Sequence, residues 1–291
     1  MVSWQIILYI ISSGAFFVLL SMGFGFTLRS VKFFNLAYGG AFLVGGYMMS
    51  WFYRSLLIPF LPAILLSLLA SGLYLLLSYK FIFSRLLYRK ENSKTKTLVP
   101  LITSFGLLTA TSAVIGMIFG NQSTFIPRHL SDVGIVNIFG ATLNTTEVYL
   151  IIITFVIILL FAYLRFKTRF GRAVRAIEDD SEVAELVGIP KDTTLLKIFF
   201  ISGVFAGIVG IIEGLNSGLI PASGLFYILP TIVAAVVGGM WSFWGGILGA
   251  FILAIVQQLT IVYFGGNWVS AVPFVILIIM LLVRPEGILK R

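Results

Sequence analysis

Nine apolar stretches divide this chain, at residues 5–28, 35–53, 56–79, 98–119, 148–164, 195–216, 225–240, 243–264 and 268–283. Eight of them carry no charged side chain, and most approach or exceed the roughly 20 residues an α-helix needs to cross a bilayer. Inside lipid every backbone N–H and C=O must be satisfied within the protein, which leaves helices and closed barrels. Long continuous apolar runs give helices. The expected fold is all-α, a polytopic transmembrane helix bundle of about eight to ten spans, with 35–53 and 225–240 as candidate half-helices. A single membrane domain over 1–291 is expected, with a charged loop at 165–197 and an outer loop at 120–147.

Charge is scarce, at 11% of residues, so its placement is informative. Segment 80–97 holds six Lys/Arg against one Glu, segment 165–197 holds seven Lys/Arg and six Asp/Glu, and a basic tail occupies 284–291. Cationic loops stay on the cytoplasmic side, which accounts for the net charge of +9 without any nucleic-acid partner. Two apolar stretches separate the first pair of these segments and four separate the second, as parity requires. Counting backward places Arg29 and Lys32 inside and the N-terminus outside. The expectation is a multi-pass inner-membrane protein, N-out and C-in, whose first stretch is a retained helix because no Lys/Arg precedes Arg29. In the outer loop, β-prone pieces at 134–139 and 142–148 suit a hairpin.

The sequence contains no phosphate-cradling lysine loop, no nucleophile elbow and no paired membrane carboxylates, and it has no cysteine and one histidine, His129. Catalysis and a resident metal are not expected, so energy for any transport comes from an ion gradient or a partner. Glu213 is the one carboxylate well inside an apolar stretch, near Asn216. Its flanking glycines (203, 207, 210, 214 and 218) recur every three or four residues, which lets helix backbones approach closely. Glu213 either faces a wet pathway, serves a structural hydrogen bond, or lies nearer the interface than its stretch suggests. Asn35 reads as a helix N-cap, with Asn35, Gly39, Phe42 and Gly46 on one face. The segment VVGGMWSFWGG at 236–246, with Gly238 and Gly239, echoes LVGGYMMSW at 43–51; paired glycine-interrupted runs are what an internal repeat around a midplane site leaves.

In the charged loop, Asp179 is placed to cap a short helix, with Glu182 three residues on. Val183, Ala184 and Val187 supply a small apolar face, Gly188 a left-handed stop, and Pro190 a barrier to continuation. A basic arm, 165–175, precedes it. A helix of about two turns is too short to hold alone in water. It either docks on a partner surface or is a solvated loop.

These residues resemble a known family. GRAVRAIEDDSEVAELVGI at 171–189 is similar to the cytoplasmic coupling segment of branched-chain amino acid ABC importer permeases. NLAYG at 35–39, PLITSFGL at 100–107, AAVVGGMWSFWGGILGA at 234–250 and LLVRPEGIL at 281–289 resemble that family's other motifs in order. The resemblance implies the membrane-spanning permease subunit of a binding-protein-dependent importer, not an enzyme, carrying a small polar solute such as a branched-chain amino acid. It implies as partners two ABC ATPases that bind the ATP, a second permease subunit (identical or homologous), an external solute-binding protein and the lipid bilayer, with no cofactor in this chain. It assigns ATPase coupling to Arg175, Ala176, Glu178, Asp179, Asp180, Ala184, Leu186 and Gly188. Depth, helical spacing and the glycine-interrupted pair, rather than the resemblance, place the expected pathway at Asn35, Gly39, Glu213, Asn216, Gly238 and Gly239. Two departures, Trp241 and Phe243 around Ser242 and the carboxylate at Glu213, leave urea, sugars and nucleosides open as solutes. A gradient-driven carrier is the competing class, and it needs no docked cytoplasmic helix.

Overall fold

The computed structural model describes residues 4–87, 93–126, 134–138, 140–284 and 287–289; His129 and the last two residues lie outside these. Each apolar stretch becomes a helix. α1 spans Trp4–Val31, α2 Ala37–Ser50, α3 Phe60–Ser78, α4 Ser84–Leu87, α5 Ser93–Phe119 and α6 Thr145–Lys167. The charged loop holds α7, Arg169–Asp179, and α8, Ser181–Leu186. α9 (Lys191–Asn216), α10 (Ser223–Gly238), α11 (Phe243–Phe264) and α12 (Val272–Val283) complete the order. Among the described residues, six helical spans are long and apolar enough to cross a membrane, one of them running continuously from Phe60 to Leu87, while α10 and α12 are shorter apolar helices. α2 continues through a π-helical turn, Trp51–Ser55, so the expected half-helix gains about 7 Å of helical path.

Residues 120–147 contain a two-stranded antiparallel hairpin, β1 (Ile135–Ile138) paired with β2 (Ala141–Asn144). The expected second strand ends sooner than its β-prone residues suggest. Glu147 Oε2 accepts the backbone N–H of Asn144 at 2.9 Å, and this capping geometry starts α6 at Thr145.

Contacts divide the chain into two compact units. The first comprises residues 1–25, 127–155 and 226–291. Within it, the Gln5 side-chain amide pairs with the Thr142 backbone in both directions (2.7 and 2.8 Å), tying the start of α1 to the hairpin. α10 and α11 meet at a tight turn whose Ser242 hydroxyl caps α11 by accepting from Gly245 N at 3.3 Å. The tail folds back, with Ile288 and Leu289 N–H donating to the last carbonyls of α10, Val237 (3.0 Å) and Gly238 (3.1 Å).

The second unit comprises residues 26–126 and 156–225. Its core is the mutual packing of α2, α3 and α9. With lipid outside, burial of apolar surface cannot drive this packing, and close backbone approach replaces it. A Cβ at Gly45 would stand 2.9 Å from the Gly207 carbonyl oxygen, and one at Gly203 would stand 2.8 Å from Gly72 Cα. The buried Ser71 hydroxyl sits between the three helices, 2.6 Å from Gly203 O and 2.8 Å from Ala41 O, sharing its proton between them.

Candidate functional site

The charged segment is more ordered than its composition suggests. Its basic arm is helical: α6 runs to Lys167, and Thr168 then caps α7 by accepting from Gly171 N at 3.0 Å. Gly171, Val174, Ile177 and Glu178 form the buried face of α7, while Arg169 and Arg172 stay exposed. Gly171 allows this approach, because a Cβ there would fall on the carbonyls of Leu164 and Arg165.

Glu178 carries the arrangement. Its carboxylate takes a two-pronged bond from Arg165 near the end of α6 (Nη1 3.0 Å, Nη2 2.6 Å) and a third bond from Arg29 Nε near the end of α1 (3.2 Å). Glu178 and Arg29 are 8% and 3% exposed. Both arginines lie in the last turn of a helix, where cations suit the dipole. Arg175 donates from its guanidinium to the Arg165 carbonyl, and Lys32 Nζ reaches the Asp179 carbonyl at 3.4 Å. α7 is thus clamped to the ends of two spans. Glu178 therefore holds the segment in place from within, rather than presenting a charge outward.

The helix cap moves by one residue from the sequence expectation. Asp179 ends α7, and Asp180, extended at φ −147°, accepts from Glu182 N (2.9 Å) and Val183 N (3.2 Å). Those two backbone bonds, Val183 first, hold the Asp180 carboxyl below its usual range. Its contribution to α8 is complete above the ordinary value near 3.8 and fades as pH falls through the lowered one. At the other end Gly188, at φ +86°, donates to Glu185 O while Ile189 donates to Ala184 O, a paired-bond helix stop. Ala184 is buried, but Val183, Leu186 and Val187 are 54%, 87% and 70% exposed. A six-residue helix and its C-cap residue, fixed at both ends, present three bare aliphatic side chains.

Of the remaining sequence candidates, Asn35, Gly39, Glu213 and Asn216 fall in the second unit, and Gly238 and Gly239 in the first. Asn35 does not cap α2. Leu36 occupies that position in helical geometry, and its N–H is received by the Ser104 hydroxyl of α5 at 3.1 Å. Asn35 is instead fully buried, and its side-chain amide has no hydrogen-bond partner among the described residues. Gly39 packs on Gly224, whose carbonyl oxygen lies 2.6 Å from where a Cβ would stand. Glu213 is 7% exposed and sits in the last turn of α9, with Asn216 closing that helix. Just beyond it, Leu219 and Thr124 form a backbone bridge. Gly238 and Gly239 end α10 against Gly245 and Leu289.

One feature of the second unit escaped the sequence reading. Thr109, Ser112 and Gly116 of α5, at helical spacing, line a cavity of about 610 Å³ closed by Asn121, Pro221 and Ala222. Ser112 donates to Pro221 O at 2.8 Å. The small polar run Thr109–Ser112 within an apolar stretch was the available signal.

Comparison with known proteins agrees with this architecture. Residues 6–281 match the family described as branched-chain amino acid transport system / permease component. The high-affinity branched-chain amino acid transport system permease protein LivH of Salmonella typhimurium is 28% identical, over 97% of this chain and 93% of its own length. BraD of Pseudomonas aeruginosa, of the same description, is 24% identical over 96% and 92%. The galactose/methyl galactoside import permease protein MglC of Salmonella typhimurium is 34% identical over only 37% of this chain and 32% of its own. With its spans, its short capped helix and a match over nearly its full length, the chain belongs to the branched-chain amino acid transport permease family.

Proposed function

We propose that this permease subunit imports a branched-chain or closely related amino acid, with α8 as the surface on which a cytoplasmic ABC ATPase docks. The single observation carrying the reading is the exposed Val183–Leu186–Val187 patch on a helix pinned at both ends and clamped through α7 to α1 and α6. A bare aliphatic patch in water requires a covering surface. A clamped one transmits the partner's movement to the spans. ATP is bound by that partner. The amino-acid assignment follows relatives that align over nearly the whole chain, whereas the sugar-permease match covers about a third of it. An external binding protein delivers the solute, and a second permease subunit faces the α5 cavity and completes the pathway. Arg175 and Asp180 set the geometry of the docking helix, while Ala176 lies between them in α7.

Leu186→Asp is expected to abolish co-purification of the ATPase and solute uptake while leaving the unfolding temperature within about 2 °C of wild type, because the side chain is bare in the isolated chain. Gly188→Val places a β-branched residue at positive φ, which costs about 1–2 kcal/mol, and weakens coupling in part. Full ATPase retention by a well-expressed Leu186→Asp variant would exclude α8 as the docking surface.

The proposed orientation has a direct test in this cysteine-free chain. A cysteine at Leu186 is expected to react with a membrane-impermeant maleimide only after the inner face is opened, and one at the exposed Gln122 from the outside. Reaction of both from one side overturns the orientation. Glu213 is proposed to contact the solute's amino group near the outer mouth. Glu213→Gln then lowers uptake at least tenfold with insertion unchanged, and an unaltered uptake profile assigns it to structure.

A further inference from the structure

A second cavity lies at the charged end of the second unit. It is an open groove of about 510 Å³ lined by Leu76 in the last turn of α3, Phe170 at the start of α7, and Thr193, Leu196, Lys197 and Ile201 of α9. That volume is in the range of pockets that take small ligands. Its wall is almost entirely aliphatic and aromatic, and Lys197 supplies its one charge. The surroundings are cationic. Arg169 and Arg172 are exposed on α7, Lys80 is exposed just past the end of α3, and Lys167 is exposed at the end of α6. Among the described residues, two nearby carboxylates already have partners: Glu178 with Arg29 and Arg165, and Asp192 with the Tyr79 hydroxyl at 3.0 Å. The groove therefore joins an apolar slot between two spans to a rim of exposed positive charge.

We propose that this groove is a binding site for an anionic diacyl phospholipid, with an acyl chain between α3 and α9 and the headgroup phosphate held by Lys197 and the exposed arginines of α7. The chemistry of both halves selects this occupant. A slot opening between membrane spans meets acyl chains, and a lysine whose aliphatic stem lines an apolar wall presents its ammonium at the headgroup level. Clustered Lys/Arg beside a span draws anionic lipid in preference to zwitterionic lipid. Placing the lipid in the cytoplasmic leaflet rests on the orientation proposed above; binding itself does not. Since α7 also carries Glu178, lipid in the groove would steady the segment that α8 extends.

The test uses the full chain purified in a neutral detergent, with unfolding temperature followed as lipid is added. Phosphatidylglycerol is expected to raise it by about 5 °C at saturation, phosphatidylcholine by much less, and glycerol 3-phosphate, which carries the phosphate without the chains, not at all. Lys197→Glu should remove the preference for phosphatidylglycerol. Ile201→Trp, which fills the slot, should remove the response to both lipids, with the lipid-free unfolding temperature of each variant as its own baseline. An equal response to both lipids in wild type, a response to glycerol 3-phosphate, no response, or an undiminished response in both variants would overturn the proposal. Because the readout is binding to the isolated chain, failure here leaves the transport assignment standing, and failure of transport leaves this site standing.

Discussion

Glu178→Ala is expected to destabilise the permease by about 3–5 kcal/mol, because it leaves two buried guanidiniums facing each other without their carboxylate. A loss of that size is a large part of a domain's total stability. The variant should reach the membrane poorly, unfold at markedly lower temperature in detergent and fail to couple ATP hydrolysis to uptake. Glu178→Gln keeps hydrogen-bond acceptance toward one arginine and should fall between Ala and wild type. The decisive comparison is the triple change Arg29→Met, Arg165→Met, Glu178→Leu. Replacing a complete buried ionic cluster by apolar side chains of similar size is often neutral or stabilising. The triple variant is therefore expected to recover most of the unfolding temperature. If the cluster only holds α7 in place, uptake recovers with it. If its fixed geometry transmits movement between α7 and the spans, the protein is stable and uncoupled. A Glu178→Ala variant with wild-type unfolding temperature would refute the clamp.

The spans were legible because lipid leaves few alternatives. Each of the nine apolar stretches became a helix, and the hairpin at 135–144 followed from β-prone residues in a polar loop. What local sequence misjudged was mainly the capping, where neighbouring residues compete for one role. Asp180 rather than Asp179 caps α8, since Asp179 already completes α7. Asn35 lost its expected role to a hydroxyl on another helix, Ser104, about seventy residues away in sequence. α7 was invisible as a helix because its buried face includes a glycine and a glutamate, Gly171 and Glu178, which read as polar or neutral until their partners are known. Glu178 shows the limit most sharply. The family resemblance marked it for coupling, yet nothing in the linear sequence links it to Arg29, 149 residues away. The two halves of the sequence echo sit in different surroundings. Gly45–Gly46 lies mid-helix against α9, whereas its echo Gly238–Gly239 ends α10 beneath the folded-back tail.

The same small substitution should have opposite consequences at two glycines of the second unit. At Gly210 of α9, a Cβ would strike the Phe42 carbonyl and stand 3.2 Å from Gly46 N, so the obstacle is backbone that cannot rotate aside. Gly210→Ala is expected to force α2 and α9 apart at a cost of about 1–3 kcal/mol, and Gly210→Leu to prevent folding. The fraction running as a monodisperse peak on size exclusion should fall accordingly. At Gly106 of α5, a Cβ would meet nothing within 4 Å. Gly106→Ala is therefore expected to leave the isolated chain unharmed or up to about 1 kcal/mol more stable, since alanine is the better helix former. Gly106 nonetheless lies in the PLITSFGL motif and on the α5 surface proposed to face the second subunit. A close helix–helix approach there would make Gly106→Ala stable as a single chain and defective in pairing. Cross-linking of two subunits through α5 should then drop while the unfolding temperature holds. Undiminished pairing by Gly106→Ala and by the bulkier Gly106→Leu would remove α5 from the subunit interface and leave its exposed face to lipid.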